Sequence, residues 1–314
     1  MITLNNRKYE VIDAHAHVWK EFKGERFGDT PVEKIGNGRV RQNGEEFQFI
    51  PPEYQDYNVH LEVLQGYMDI AGVDRAVILQ NPCYGDQRDY VSNIVRKSPA
   101  KFRGFGMLDP RKIDSVSEEI DTLIQNYHCI GIKMEIPDVP FVMDAPEYDF
   151  LWRKLLENDA IAAIDLGWGN GPYDFNIDQM RNVVKRYPDL KLMLCHLGVS
   201  RLWDLEQEYP YPQLQRTLSL LEINTENLYF DIAGMPVFDH SNEYPFDRPQ
   251  KILKTVKETV GMDRIMWGSD FPTVMLQCTY SQSLEYITRH CDFLTEDDFE
   301  KLLGKNARRF LFRE

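Results

Sequence analysis

The stretch Val11-Ile12-Asp13-Ala14-His15-Ala16-His17 is the part of this chain from which the fold can be read. Val11 and Ile12 begin an apolar strand, and side chains along a strand alternate between its two faces. His15 and His17 are therefore predicted to point the same way at the carboxyl end of that strand, where two imidazoles can bind one metal ion. Because a lone His-x-His pair is common, a strand end with two hydrogen-bonded histidines is the alternative.

Short apolar runs alternate with longer segments of helical period along the chain, a pattern typical of repeated βα units and a parallel sheet. The eight predicted strands are Glu10–Ala14, Arg75–Gln80, Phe102–Leu108, Cys129–Ile136, Ile161–Leu166, Leu190–Cys195, Leu228–Ile232 and Arg264–Gly268. Eight units in 314 residues predict an α/β fold, a TIM-like (β/α)8 barrel with its active site at the carboxyl ends of the strands. No Gly/Pro/Ser-rich linker divides the chain, so one domain over residues 1–314 is favoured over two doubly wound domains.

Helices are predicted between the strands and at the end of the chain. Those between strands include Glu147–Asn158, Ile177–Tyr187 and Gln250–Val260. Near the end, Thr295 begins a helix with a capping-box pattern, Gly304 is predicted to interrupt it, and Asn306 is predicted to cap a further segment.

A long insertion, residues 21–60, follows the first predicted strand and is punctuated by glycine and proline. Within it, residues 38–50 predict a β-hairpin that turns at Asn43-Gly44. A long insertion in a βα loop lies over the active face and often forms a lid or a pocket wall. Arg39 and Arg41 could bind a substrate carboxylate there, although two solvated hairpin arginines are the commoner case.

Composition narrows the classes of partner. The chain has 50 acidic and 36 basic residues, a net charge of −14, which disfavours nucleic acid and anionic membrane surfaces. The 5 cysteines are scattered and form no Cys-x-x-Cys pair, so free thiols in a reducing compartment are expected. An apolar signal segment and a membrane-length apolar run are both missing from the sequence. We expect a cytoplasmic protein that acts on a small molecule.

Polar residues end several of the predicted apolar strands. His196 ends the sixth strand and Asp270 follows the eighth, although a packed histidine and a turn-forming aspartate are the ordinary alternatives. Lys133 and Glu135 share one face of the fourth strand, where either substrate binding or an interior salt bridge explains them. Asp165 ends the fifth strand and is a less specific signal.

Together these residue types predict metal chemistry. Imidazole nitrogens and a carboxylate suit zinc or another divalent first-row metal, and such a metal lowers the pKa of bound water to about 7. Asp270 could carry a proton to and from that water, and His196 could stabilise an oxyanion. The chain has no Gly-x-Ser-x-Gly elbow, P-loop or Gly-x-Gly-x-x-Gly motif to indicate another chemistry.

Several motifs resemble the amidohydrolase superfamily, and more narrowly its amidohydrolase-related branch (amidohydrolase 2). They are Asp13-Ala-His-Ala-His17, Gly72-Val-Asp-Arg-Ala-Val77, Arg103-Gly-Phe-Gly-Met-Leu-Asp-Pro110, Gly131-Ile-Lys133, His196-Leu-Gly198, Trp267-Gly-Ser-Asp-Phe-Pro272 and Leu302-Leu-Gly-Lys-Asn-Ala-Arg-Arg309. The resemblance spans essentially the whole chain. It implies a distorted (β/α)8 barrel, commonly dimeric, of a branch that contains lactonases and related hydrolases as well as metal-dependent non-oxidative decarboxylases.

By this resemblance His15 and His17 match the metal-binding pair of strand one, Asp270 the ligand and proton carrier of strand eight, and His196 the strand-six histidine. The chain departs from the decarboxylases at strand five, where Asp165 replaces their usual histidine ligand. Asp165-Leu166 resembles the lactonase-like members, some of which work without metal. As a ligand, Asp165 would make the site richer in oxygen and favour manganese over zinc.

The sequence therefore favours a metal-dependent hydrolase of a small, carboxylated lactone, ester or amide. A non-oxidative decarboxylase of a hydroxyaromatic or muconate-type acid is the alternative. A barrel without metal or activity is a third interpretation.

Overall fold

The computed structural model describes residues 1–24, 32–42, 44–167, 175–198, 209, 211–224, 226–237 and 243–314. Eight parallel strands form one sheet in which each strand pairs with the next along the chain. They are β1 (Ile12–Ala16), β2 (Arg75–Ile78), β3 (Phe102–Met107), β4 (Gly131–Glu135), β5 (Ile161–Asp165), β6 (Lys191–Leu194), β7 (Leu228–Asp231) and β8 (Ile265–Met266).

The sheet closes into a barrel between β1 and the segment that begins with β8. The amide of Ala14 donates to the carbonyl of Trp267 at 3.0 Å, and the amide of Asp270 donates to the carbonyl of His15 at 2.8 Å. His17 extends this seam through its amide, which donates to Phe271 at 2.8 Å. The seam places the residues after β8 directly beside the two histidines.

In the described part of the chain, each strand is followed by a helix that packs outside the barrel. The helices are α1 (Leu61–Ala71), α2 (Arg88–Lys97), α3 (Ile113–Asp121), α4 (Asp149–Glu157), α5 (Ile177–Arg186), α6 (Pro212–Leu218), α7 (Asp247–Val260) and α8 (Tyr280–His290). The predicted (β/α)8 barrel is confirmed. Among the described residues, no helix has both the length and the apolar character needed to cross a membrane.

The last helical segment packs against the amino-terminal end of the barrel. It begins as α9 (Glu296–Glu300), and the predicted capping box between Thr295 and Asp298 is present. The ring of Phe310 stacks on Tyr229 of β7 at 4.1 Å. Because this end is covered, the chemistry is expected at the carboxyl ends of the strands.

Two predictions about this segment are wrong. Gly304 lies inside a continuous helix of π-type turns and does not interrupt it. Asn306 has helical backbone angles, and its side chain donates to the carbonyls of Met262 and Ile265 at 2.7 and 2.8 Å. Asn306 therefore ties the helix to the start of β8, a tertiary contact that local sequence cannot reveal.

The insertion after β1 forms a three-stranded antiparallel sheet of Glu33–Gly36, Arg39–Gln42 and Glu45–Gln48. Gln42 pairs with Glu45, which confirms the predicted hairpin, although residue 43 of its turn lies outside the described residues. The first of the three strands was not predicted. A separate hairpin of Ile2–Leu4 and Arg7–Tyr9 precedes the barrel.

Candidate metal centre and active site

A β-bulge in β1 sets the direction of the histidine pair. Asp13 pairs with Ala76 and Ala16 with Ile78, so three steps on β1 oppose two on β2. The bulge spans Ala14 and His15, just before His17. The Nε2 atoms of His15 and His17 are 3.0 Å apart, so the side chains converge as predicted.

Each of these histidines has its other nitrogen committed to an acceptor. Nδ1 of His15 lies 2.9 Å from Oδ2 of Asp231, and Nδ1 of His17 lies 3.0 Å from the carbonyl oxygen of Leu79. Since a carboxylate and a carbonyl accept, both Nδ1 atoms must donate, and each neutral ring then keeps a bare Nε2. Burial lowers the pKa of His15 to about 4, which keeps that ring neutral at pH 7.

Asp270 completes a set of three converging ligand atoms. Its Oδ1 lies 3.3 Å from Nε2 of His17 and 3.8 Å from Nε2 of His15. Burial opposes ionisation, but the contact with His17 and the charge of His196 lower the pKa of Asp270 below its usual value. Two bare nitrogens and a carboxylate oxygen repel one another unless a cation lies among them.

The spacing of these atoms suits a metal ion. Tetrahedral zinc with bonds of about 2.0–2.2 Å places its ligand atoms roughly 3.3–3.5 Å apart. The observed separations of 3.0, 3.3 and 3.8 Å scatter around that figure. The carboxylate partner of His15 is the arrangement that commonly orients a metal-binding histidine. His15, His17 and Asp270 therefore fit a divalent metal ion.

His196 lies beside this set, directly after β6, and its backbone has a positive φ of 55°. Its Nδ1 lies 2.8 Å from the carbonyl oxygen of Ala233, and its Nε2 lies 3.5 Å from Oδ2 of Asp165. The rings of His15 and His196 are 4.8 Å apart. Burial alone would lower the pKa of His196, but the Asp165 carboxylate raises it to about 10, so this ring is an imidazolium at neutral pH.

Asp165 belongs to a buried charge cluster that includes Lys133 and Glu135. The ammonium of Lys133 lies 3.2 Å from Oε2 of Glu135 and 3.8 Å from Oδ2 of Asp165. Burial raises the pKa of Glu135 to about 8 despite Lys133, whereas Lys133 and His196 together outweigh burial and hold the pKa of Asp165 well below its usual range. An interior salt bridge, one of the two sequence interpretations of Lys133 and Glu135, is thus present.

No described contact joins Asp165 to the three converging ligand atoms. Its Oδ2 faces Lys133 and His196, and its Oδ1 accepts from the amide of Gly167 at 2.9 Å. Its role as a metal ligand stays a prediction, as do the substrate-binding roles of Lys133 and Glu135.

Arg39 and Arg41 are exposed on the three-stranded sheet. Arg39 pairs with Glu46 at 2.7 Å, and Arg41 pairs with Glu33 at 2.7 Å and with Glu46 at 2.6 Å. No described contact joins either arginine to the histidines. Their exposure matches the alternative of two solvated hairpin arginines, and a substrate-binding role for Arg39 and Arg41 stays a prediction.

Sequence reasoning missed Asp231, the last residue of β7. Its Oδ2 accepts from His15, and its Oδ1 accepts from the amides of His196 and Ala233 at 2.8 and 3.0 Å. Burial opposes ionisation, but the contacts with His15 and His196 lower the pKa of Asp231 to about 2. The available signal was an aspartate ending a buried apolar strand, as at Asp165 and Asp270.

Asp13 has a role that its motif alone did not predict. It accepts hydrogen bonds from the amide and hydroxyl of Ser269 at 2.8 and 2.6 Å, and from the hydroxyl of Tyr280 at 2.8 Å. The amide of His15 also donates to it at 3.1 Å. Asp13 thereby joins β1 to the segment after β8 and places Asp270 against the histidine pair.

With the barrel and this cluster described, comparison with known proteins identifies the class. A family model described as amidohydrolase matches residues 12–313. The chain belongs to this family, which confirms the resemblance inferred from its motifs. It is therefore an amidohydrolase-type enzyme.

Three relatives illustrate the range of this family. The chain is 23% identical to an L-fucono-1,5-lactonase of Burkholderia ambifaria over 95% of this chain and 94% of that protein. It is 21% identical to a gamma-resorcylate decarboxylase of Polaromonas over 59% of this chain and 64% of that protein. An amidohydrolase structure from Burkholderia multivorans with bound zinc superposes with a TM-score of 0.68 at 16% identity, covering 96% of this chain and 98% of that one.

Proposed function

We propose that this protein is a metal-dependent hydrolase that opens a small lactone, an internal ester, with water. The observation that carries the proposal is the convergence of two bare imidazole nitrogens and one carboxylate oxygen within 3.8 Å, beside a buried imidazolium. The similarity to a lactonase over nearly the full length of both chains supports the same choice.

His15, His17 and Asp270 would hold the metal, with zinc the first candidate and manganese the second. A divalent cation supplies Lewis acidity there, polarising a carbonyl and lowering the pKa of water to about 7. The bound zinc in the Burkholderia multivorans structure supports the choice of zinc. Asp231 orients His15 by accepting from its Nδ1.

The proton transfers belong to Asp270. Its carboxylate takes a proton from the attacking water as oxygen bonds to the lactone carbonyl carbon. The same proton then passes to the ring oxygen as the ring C–O bond breaks, which leaves a hydroxy acid. His196, held as a cation by Asp165, stabilises the negative charge that the carbonyl oxygen gains.

The surroundings of His196 bear on the choice between hydrolysis and decarboxylation. Replacing carbon dioxide by hydrogen on a carbon atom needs an acid that releases its proton near the working pH. His196 faces the Asp165 carboxylate, which favours its charged form and suits the stabilisation of an oxyanion, whereas Asp270 is the group that would supply a proton in the alternative reaction. Because one relative is a decarboxylase, decarboxylation is the alternative reaction and is tested beside hydrolysis.

The test begins with the metal content of purified protein, measured by mass spectrometry. Zinc-loaded and manganese-loaded protein are then given a panel of sugar-acid and dicarboxylate lactones in a pH-indicator assay, and hydroxybenzoates in a carbon dioxide assay. Acid release from a lactone, abolished by a chelator, is the expected result. Release of carbon dioxide without lactone opening would overturn the proposal.

We also propose a cytoplasmic location and a homodimer. Five buried cysteines without a disulfide suit a reducing compartment, and the family resemblance supports the dimer. Light scattering coupled to size-exclusion chromatography measures the oligomeric state directly.

A further inference from the structure

Tyr84 lies in the loop after β2, and its backbone is firmly held. Its amide donates to the carbonyl of Asn81 at 3.1 Å, and its carbonyl accepts from the amide of Lys23 at 3.2 Å and from the side chain of Gln87 at 2.9 Å. These contacts join the loop to the segment after β1. Tyr84 is therefore part of a rigid wall beside the histidine pair.

The ring of Tyr84 is buried, with 4% of its surface exposed. It stacks face to face on Trp19 at 3.9 Å and meets the ring of His17 edge-on at 5.6 Å. Both contacts restrict its rotation, so the hydroxyl has one preferred position.

Among the described residues, the hydroxyl of Tyr84 forms no hydrogen bond. Burial, together with nearby acidic groups that include Cys83 and Asp270, raises the pKa of Tyr84 well above 10. The phenol thus stays protonated beside a carboxylate of the metal set. The phenol therefore has a proton to donate to a ligand that binds beside that carboxylate.

We propose that Tyr84 is a further catalytic residue, whose hydroxyl donates a hydrogen bond to the substrate oxygen that gains negative charge. This inference rests on the proposed lactone hydrolysis. Tyr84 approaches from the His17 side, and His196 from the His15 side, so the two donors flank the ligand set. A neutral donor held in place before the reaction stabilises developing charge without reorganisation.

The test compares Tyr84→Phe, which removes only the hydroxyl oxygen, with Tyr67→Phe. Tyr67 lies in α1 with its ring against Phe271 and Tyr280, outside the ligand set. For Tyr84→Phe we expect kcat to fall about 100-fold, as when one oxyanion donor is removed, with KM changed less than threefold. Zinc content and melting temperature should match those of the unaltered protein. Tyr67→Phe should keep full activity.

A second measurement does not depend on turnover. Methylphosphonate, a tetrahedral anion, is titrated into zinc-loaded protein by calorimetry. We expect it to bind Tyr84→Phe at least tenfold more weakly than the unaltered protein and Tyr67→Phe equally well. If no lactone is hydrolysed, the proposed function fails, yet this comparison still decides whether the hydroxyl faces the site. Equal methylphosphonate affinity, or a lowered melting temperature or zinc content in Tyr84→Phe, would overturn the inference.

Discussion

Three aspartates lie at the carboxyl ends of β5 and β7 and after β8, and each has a different role because its partners differ. Asp231 accepts from His15 and the His196 amide, so it orients ligands. Asp165 contacts the Lys133 ammonium and the His196 ring, so it fixes charge. Asp270 faces bare nitrogens and is the one placed to exchange a proton with water.

Replacing Asp270 with asparagine should abolish most of the activity. The amide keeps the shape of the carboxylate but is neither a base nor a good metal ligand, so we expect kcat to fall 10²–10⁴-fold and zinc content to drop. Activity assays and metal analysis measure both effects. The matched control is Asp178→Asn, because Asp178 is an exposed residue that pairs with Arg216. It should change neither kcat nor the zinc content. Retained activity in Asp270→Asn would refute the mechanism.

Replacing Asp231 with asparagine should weaken metal binding without removing a ligand. The amide still accepts from His15 but lacks the charge that raises the basicity of its ring, so we expect zinc affinity to fall about 10–100-fold. Competition with a chromophoric chelator gives this number. An unchanged zinc affinity would show that Asp231 does not act through His15.

At the scale of elements, the site depends on the seam between β1 and the residues after β8. The bulge in β1 turns the histidines toward Asp270, and Asp13 locks the seam through Ser269 and Tyr280. The same seam is supported from the amino-terminal side, where the last helix passes against Glu10. Gly304 makes that approach possible, because a Cβ there would lie 2.6 Å from the carbonyl oxygen of Glu10.

Two glycine-to-alanine substitutions in helices should therefore have opposite effects. Gly304→Ala forces backbone apart and should lower the free energy of unfolding by about 1–3 kcal/mol. Gly66→Ala, in α1 with open space around its Cβ, should raise it by about 0.5–1 kcal/mol through helix propensity. Urea denaturation of both variants measures the difference. A Gly304→Ala protein as stable as Gly66→Ala would contradict the packing described here.

At the scale of the whole molecule, the site is an assembly of strand ends. Its histidines and carboxylates lie at or just after the ends of β1, β4, β5, β6, β7 and β8. A metal ion held by His15, His17 and Asp270 would join β1 to the segment after β8, where the barrel closes. Metal affinity and fold stability are therefore linked. That residues 1–314 form one domain stays a prediction at this scale.

Removing the metal should destabilise the whole barrel. Free zinc at about 100 times its dissociation constant adds about 2.7 kcal/mol to the free energy of unfolding. We expect the melting temperature to rise by several degrees when zinc is restored to chelated protein. His17→Gln should melt at the same temperature with and without zinc. A zinc effect of equal size in that variant would place the binding elsewhere.

The metal-free protein should lose stability in acid partly through His15. Its pKa is about 4 in the folded protein, against 6.5 when unfolded, so between these values the unfolded chain binds a proton that the folded chain does not. The free energy of unfolding should then fall as the pH falls through this window, by up to about 3 kcal/mol. Urea denaturation of chelated protein at pH 7 and pH 4.5 tests this, with His15→Gln expected to lose less.

The sequence by itself determined the barrel and the residues that line its mouth. Alternating apolar runs predict eight parallel strands, and because the carboxyl ends of such strands meet at one end, His15, His17, His196, Asp165 and Asp270 could be placed there together. Residue types alone then indicated a metal ion.

Only the tertiary structure decided what each group contacts and therefore which proton it carries. The links from His15 to Asp231, from Asp13 to Ser269 and from His196 to Asp165 join residues far apart in the chain. Protonation depends on burial and on charges within a few ångströms, and neither quantity is a property of local sequence. For the same reason the bare nitrogens of the ligand set, the charge on His196 and the place of Tyr84 beside His17 could be seen only in the folded chain.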